Sequence, residues 1–137
     1  MREYARVQAL FERLEEQPRQ TFPAATGHVE APKTALGVYV IRNAQGSVAY
    51  VGRTTRARNG IHQRLRNHLA GKSSFVRNML GGNGGLLRGI YTYQFLEVAD
   101  ARERALLEHL ATGRHCPLYL GLSEEVVESM ESDRKAA

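Results

Sequence analysis

Apolar residues recur along the chain with two different periods, and the changes from one period to the other mark out the elements. Val7, Leu10, Phe11 and Leu14 fall at helical spacing among Arg and Glu. That pattern predicts an amphipathic helix from about Arg2 to Glu16, stopped by Pro18. It packs either on the rest of the chain or on a partner, a second copy included. Between Gln17 and Leu36 the periodicity lapses, and Pro18, Pro23, Gly27 and Pro32 predict a long connection that positions the strands after it. Period two then takes over. The runs Gly37 to Asn43 and Val48 to Gly52 are rich in β-branched and aromatic residues, and Ala44-Gln45-Gly46-Ser47 between them supplies turn residues. This is the pattern of a β-hairpin. Its four-residue loop sets Tyr39 opposite Gly52 and Tyr50 opposite Ile41. Strand side chains alternate, so the two tyrosines share a face. Gly52, with no side chain, is expected to leave open space across from the Tyr39 ring.

Helical spacing returns at Ile61, Leu65 and Leu69, predicting a helix from about Ile61 to Ala70 that Gly71 ends. Arg64 and His68 stand one turn apart on it, beside the apolar stripe and not on it. Ser73 or Ser74 caps a short helix running to Leu80. The glycine-rich Gly81 to Gly85 reads as a flexible loop, and Leu87 to Val98 as a third strand. Asp100 and Glu103 form a capping box for a helix from about Ala101 to Thr112, with Leu106, Leu107, Leu110 and Ala111 inward and Glu108 on a small-residue flank. Gly113 is expected to end it. A last helix over about Glu124 to Glu131, capped by Ser123, leads into a fraying tail. Together these elements predict an α+β fold: a small three-stranded antiparallel sheet flanked by helices, with an extra helix at each end.

Composition adds a charge and a compartment. The chain has 137 residues, 42% hydrophobic, with a formal net charge of +5, which suits one folded domain and an anionic partner. The single cysteine, Cys116, has no partner in the chain, and no Cys/His cluster has zinc spacing. The opening Met1-Arg2-Glu3-Tyr4 is charged, unlike a signal peptide, and no apolar run is long enough to span a membrane. A cytoplasmic protein with no membrane partner is the expectation.

The tripeptides Gly37-Val38-Tyr39 and Tyr50-Val51-Gly52, with the residues downstream, resemble the GIY-YIG nuclease family. The order hairpin, helix with Arg64 and His68, strand, helix with Leu106-Leu107-Glu108 is similar to that family, and so is Pro117-Leu118-Tyr119 after it. The resemblance covers about residues 36–122, leaving 1–35 as an N-terminal helix with its connection and 123–137 as a C-terminal helix and tail. It implies a metal-dependent endonuclease that hydrolyses phosphodiester bonds, in DNA sooner than in RNA. Catalytic roles fall to Tyr39, Tyr50, Arg64, His68 and Glu108, with Glu108 the ligand of Mg²⁺ or Mn²⁺. Arg53, Arg56, Arg58, Arg66, Lys72 and Arg77, with Arg88, form a basic track suited to a nucleic-acid backbone or an ordinary charged surface.

One position departs. The family usually places an asparagine just after Pro-x-Tyr, where this chain has Leu120, which neither donates nor accepts a hydrogen bond. Either another group fills that role or catalysis is weakened. The alternatives are therefore a nucleic-acid-binding module that has lost turnover, or a regulatory domain that binds a partner, or forms a homodimer, through the N-terminal helix.

Overall fold

The hairpin forms with the two expected pairings, and its register shifts by one residue between Ile41 and Arg42, where Arg42 pairs with Val48. In the computed structural model, which describes residues 2–55 and 60–121, β2 (Gly37–Arg42) and β3 (Val48–Arg53) pair antiparallel with Tyr39 opposite Gly52 and Ile41 opposite Tyr50. On its other side β2 pairs antiparallel with β4 (Thr92–Glu97), which places Phe95 across from Tyr39 and Tyr93 across from Ile41. β2 is buried along its whole length, as the central strand of a sheet covered on both faces must be.

The sheet has four strands, not three. Gln20–Thr21, inside the segment expected to be a plain connection, forms β1 and pairs with β4, giving the order β1-β4-β2-β3. Two residues are too few to show a period in the sequence. The pairing is held by the free edge of β4 and by Phe22, which is fully buried with its ring 4.9 Å from that of Tyr93. β4 itself is shorter than the aromatic run suggests. The glycine-rich segment is not a loose loop: Gly84–Leu87 is a 3₁₀ helix with Gly84 and Leu87 buried, and the chain turns through Gly89 before Thr92 enters the sheet.

Helices cover both faces. On one lie α1 (Glu3–Glu16) and α4 (Ala101–His115), where Leu10, Leu14, Leu107 and Ala111 pack on Val38, Val40, Val51 and Leu96. The apolar stripe of α1 is thus used inside the chain. Burying each such leucine contributes roughly 1.5–3 kcal/mol. α4 runs past Gly113 to His115, because its last turn has partners on α1: His115 bonds Glu15 and lies 5.6 Å from the Phe11 ring. The chain leaves α4 through Cys116, in the left-handed region at φ 47°. Asp100 caps α4 through the Glu103 amide at 2.9 Å, while the Glu103 side chain pairs with Arg6 and so does not close the expected capping box. On the other face α2 (Ile61–Leu69) and α3 (Ser74–Met79) bring Ile61, Leu65, Phe75 and Val76 onto Tyr39, Ile41 and Tyr93. The helix expected over 124–131 lies outside the described residues.

The two glycines in the hairpin's strands, Gly37 and Gly52, are required by close approach. A Cβ on Gly37 would stand 2.0 Å from the Leu96 carbonyl oxygen, and one on Gly52 would stand 2.4 Å from both Cζ and Oη of Tyr39. The space expected beside Tyr39 is therefore not open; the Tyr39 ring fills it. Gly52→Ala should cost about 1–3 kcal/mol through overpacking, measured by urea unfolding at neutral pH. An unchanged midpoint would show that the ring has room to move.

Candidate functional site

Three side chains form a buried hydrogen-bonded chain under the site. His68 Nε2 lies 2.9 Å from Tyr39 Oη, and His68 Nδ1 lies 2.7 Å from Ser73 Oγ. Ser73 Oγ also accepts from the Val76 amide at 3.2 Å, which caps α3. His68 is only 3% exposed, so it belongs to the buried face of α2 with Ile61 and Leu65, and not beside that face as its spacing suggests. A histidine can sit there because both ring nitrogens are satisfied. Leu69, expected in the stripe, is half-buried and lines a hollow elsewhere.

Above this chain a hollow of about 260 Å³ is lined by Tyr50, Arg64, Asn67, His68, Lys72 and Ser73. Tyr50 stacks on Phe75 with ring centroids 5.3 Å apart and planes 7° apart. Arg64 and Glu108 are half-buried. Glu108 arrives on α4, which packs along the edge strand β3, and its Oε1 accepts from Arg53 Nη1 at 3.0 Å.

The charges of these groups act on one another. Burial pushes the Tyr39 phenol far above its ordinary range; the Tyr50 phenol and the Glu108 carboxylate add to the rise, and the Arg64 guanidinium opposes it. Tyr50 is raised in the same way, chiefly by burial, against Arg64. Burial also raises Glu108, with Arg53, His109 and Arg64 pulling it back down. His68 is pushed down to about 3, first by burial and then by Arg64. At neutral pH the Tyr39–His68 pair is therefore uncharged on both sides.

Among the described residues no three His, Cys, Asp or Glu side chains gather around a common point. The donor set is one half-buried carboxylate, with Glu108 Oε2 unbonded to any described residue. That suits a hard cation that keeps most of its water, as Mg²⁺ does, and does not suit a closed protein cage.

Tyr50, Arg64 and His68 thus line one hollow and Tyr39 bonds His68 beneath it, while Glu108 is not in that lining but pairs with Arg53 within electrostatic reach of Tyr39, Tyr50 and Arg64. The basic residues divide. Lys72 lines the hollow, Arg53 is paired with Glu108, and Arg77 is exposed on α3. Arg66 and Arg88 line a different hollow, away from Arg64. Arg56 and Arg58 lie outside the described residues. Two features have no clear signal in the sequence. The Ser73 hydroxyl, legible there only as a cap, also holds His68. Asn78 Nδ2 donates to Tyr119 Oη at 3.0 Å, tying α3 to the segment after α4. Leu120, next in that segment, is 37% exposed.

The GIY-YIG catalytic domain matches this chain over residues 35–114. The chain belongs to the GIY-YIG family, and its four-stranded α+β architecture is a form of that fold. Among solved structures it is similar to the GIY-YIG N-terminal endonuclease domain of UvrC from Thermotoga maritima bound to its catalytic divalent cation, magnesium. The identity is 22% over 87% of this chain and 98% of that one, with a TM-score of 0.45. A point mutant of that domain, also bound to its catalytic divalent cation, is similar at 22% identity over 87% of this chain and 97% of its own, with a TM-score of 0.45. A comparison with curated proteins finds no match.

The depressed His68 sets a pH dependence of stability. Its pKa is about 3 in the folded chain and about 6.5 unfolded. The stability it contributes is therefore complete above pH ~6.5 and is lost as pH falls toward the folded value. The expected slope is about 1.4 kcal/mol per pH unit, or about 2 kcal/mol between pH 6.5 and pH 5. Urea unfolding at those two pH values should show this loss in the parent chain and not in His68→Phe. Equal losses in both proteins would show that His68 is not held neutral.

Proposed function

We propose that this chain is a metal-dependent endonuclease that hydrolyses phosphodiester bonds, with DNA preferred over RNA. The observation that supports the reading is a hollow lined by Tyr50, Arg64, His68 and Lys72, with Tyr39 bonded to His68 beneath it and Glu108 held by Arg53 on α4, which packs against the strand that carries Tyr50. Membership of the GIY-YIG family supports the nuclease class.

Glu108 would hold Mg²⁺ or Mn²⁺, which when bound supplies charge neutralisation at the phosphate and at the leaving oxygen. Every other part falls to the chain. Arg64, fixed on α2, braces two phosphoryl oxygens with its planar fork. Lys72 adds a mobile charge at the rim of the hollow. Tyr50, locked by its stack on Phe75, presents its hydroxyl to a phosphate oxygen or to the attacking water.

Tyr39 is protonated at rest and is no base by itself. With His68 Nδ1–H donating to Ser73, the unprotonated Nε2 accepts from Tyr39 Oη–H, so the phenol can take the water's proton as it passes its own to the imidazole. Arg64 stabilises any phenolate character at Tyr39, which is the direction of its effect there. Arg53 holds one Glu108 oxygen and leaves the other free for the ion. Among the described residues no helix is long and apolar enough to cross a membrane; a cytoplasmic location is proposed with the function.

A second reading is favoured by Leu120, exposed where the family usually has asparagine, and by the complete burial of Tyr39. On that reading the fold binds nucleic acid and turns over slowly or not at all.

A screen of single-stranded, duplex and branched DNA and of RNA, with and without Mg²⁺ or Mn²⁺, should find metal-dependent cutting. Glu108→Gln should lower the cleavage rate on the order of 10²-fold or more, while affinity for an uncut duplex, read by fluorescence anisotropy, stays within about threefold. No cutting of any substrate would refute the enzymatic reading. Leu120→Asn should raise the cleavage rate if the missing amide limits turnover. No change in a parent that cuts would show that Asn78 or another group already serves.

A further inference from the structure

We infer that the chain carries a second phosphate-binding site on the far side of α2, which holds the nucleic-acid backbone at a point removed from the cleaved bond. The inference rests on the nuclease reading and adds where the substrate runs.

The site is a hollow of about 280 Å³ whose lining includes Thr26, Gly27, His28, Arg66 and Arg88. None of these lines the hollow that holds Arg64 and Lys72. The division follows from helix geometry. Residues two apart on a helix point away from each other, so Arg64 and Arg66 serve opposite sides of α2. His62, one turn before Arg66, joins the second group: besides burial, its pKa is lowered by the positive charges of Arg66, Lys33 and His28. His28, Arg66 and Arg88 line the hollow, and Lys33 and His62 lie within electrostatic reach of this group.

The wall is built. Arg88 Nη1 donates to the carbonyl oxygens of Pro23 and Gly27, both at 3.0 Å, which pins the 23–27 turn over the hollow. That turn passes through Ala25 at φ 52°, in the left-handed region, and closes with the Gly27 amide on the Ala24 carbonyl at 3.0 Å. Arg88 has no carboxylate partner among the described residues, and neither has Arg66. The Nε and Nη2 of Arg88 bond no described residue, so its fork remains available to an acceptor. Two guanidiniums without a carboxylate partner among the described residues, beside a wall completed by Val29, Leu69 and Ala70, fit a phosphodiester whose sugar meets the apolar part. An isolated phosphate would meet the same groups. A backbone strand differs in engaging this hollow and the Arg64 hollow together, one on each side of α2.

The test compares the parent chain with Lys33→Ala/Arg66→Ala, leaving the Arg88 pin intact, and with Arg13→Ala on α1 as a control. Each is titrated with a labelled duplex of about 20 base pairs by anisotropy over a range of NaCl, without divalent metal. The double variant should bind about tenfold more weakly, and its log K against log[NaCl] slope should fall by about 2. Arg13→Ala should match the parent. In parallel, amide NMR with inorganic phosphate should move Gly27 and Arg66. An unchanged slope in the double variant overturns the inference even if the parent cuts DNA, and phosphate shifts with an unchanged slope would assign the hollow to free phosphate instead. A parent that neither binds nor cuts nucleic acid overturns the nuclease reading and this inference with it.

Discussion

The ring of Tyr39 rests on bare backbone, and much of the structure depends on that contact. Gly52 across the hairpin gives the ring its place, and the ring is fully buried there. A phenol hydroxyl so deep must have a partner, because an unmatched buried hydroxyl costs about 1–3 kcal/mol. His68 supplies it, at 2.9 Å, and then needs a partner of its own. Ser73 answers that need and in the same stroke caps α3. The hairpin, α2 and α3 are thus joined by one line of polar contacts running through an otherwise apolar layer. Among the described residues no buried side-chain nitrogen or oxygen is left without a partner.

The opposite layer sets the carboxylate. Arg104 is buried on α4, one turn before Glu108, and meets no acid among the described residues. It donates instead to three carbonyl oxygens: Thr54 at 3.1 Å, Val98 at 3.1 Å and Ala99 at 2.6 Å. Those bonds tie α4 to the end of β3 and to the strand that precedes the helix, so Glu108 is carried to Arg53 on a fixed mount. A second buried knot does similar work at α1. Gln94 donates to the Leu14 and Gln17 carbonyls and accepts from Arg42, satisfying the last carbonyls of that helix from inside the sheet. The N-terminal helix is thereby part of the core and not an appendage to it.

At rest the site is held near neutrality where it is deepest and charged where it is open. Burial disfavours phenolate at Tyr39 and imidazolium at His68, while Arg64 and Lys72 keep a positive rim. The proposed chemistry depends on that gradient: an anionic substrate is drawn to the rim, and the proton relay beneath it stays uncharged until the reaction asks for it.

The hairpin, its two tyrosine pairings and the main helices are legible in spacing and composition, because each depends on neighbours within a few residues or on a strong local period, whereas the five candidate residues stand out only through the resemblance to the GIY-YIG family. Tyr39 opposite Gly52 is the pairing the spacing predicts, although the ladder reaches it through an irregularity between Ile41 and Arg42 that the spacing does not show. Other features needed the folded chain. β1 has two residues and exists only because β4 offers a free edge. The buried side of α2 includes His68 because two groups outside that helix satisfy its ring, which no count of apolar positions can register. Arg64 and Arg66 look alike in sequence, as members of one basic stretch. The helix turns them to opposite sides, and only the packing of 23–28 and Arg88 against α2 shows that the second side is a hollow. Local order was written in the pattern of residues; which polar groups meet, and where the charge collects, was decided by contacts between segments far apart in the chain.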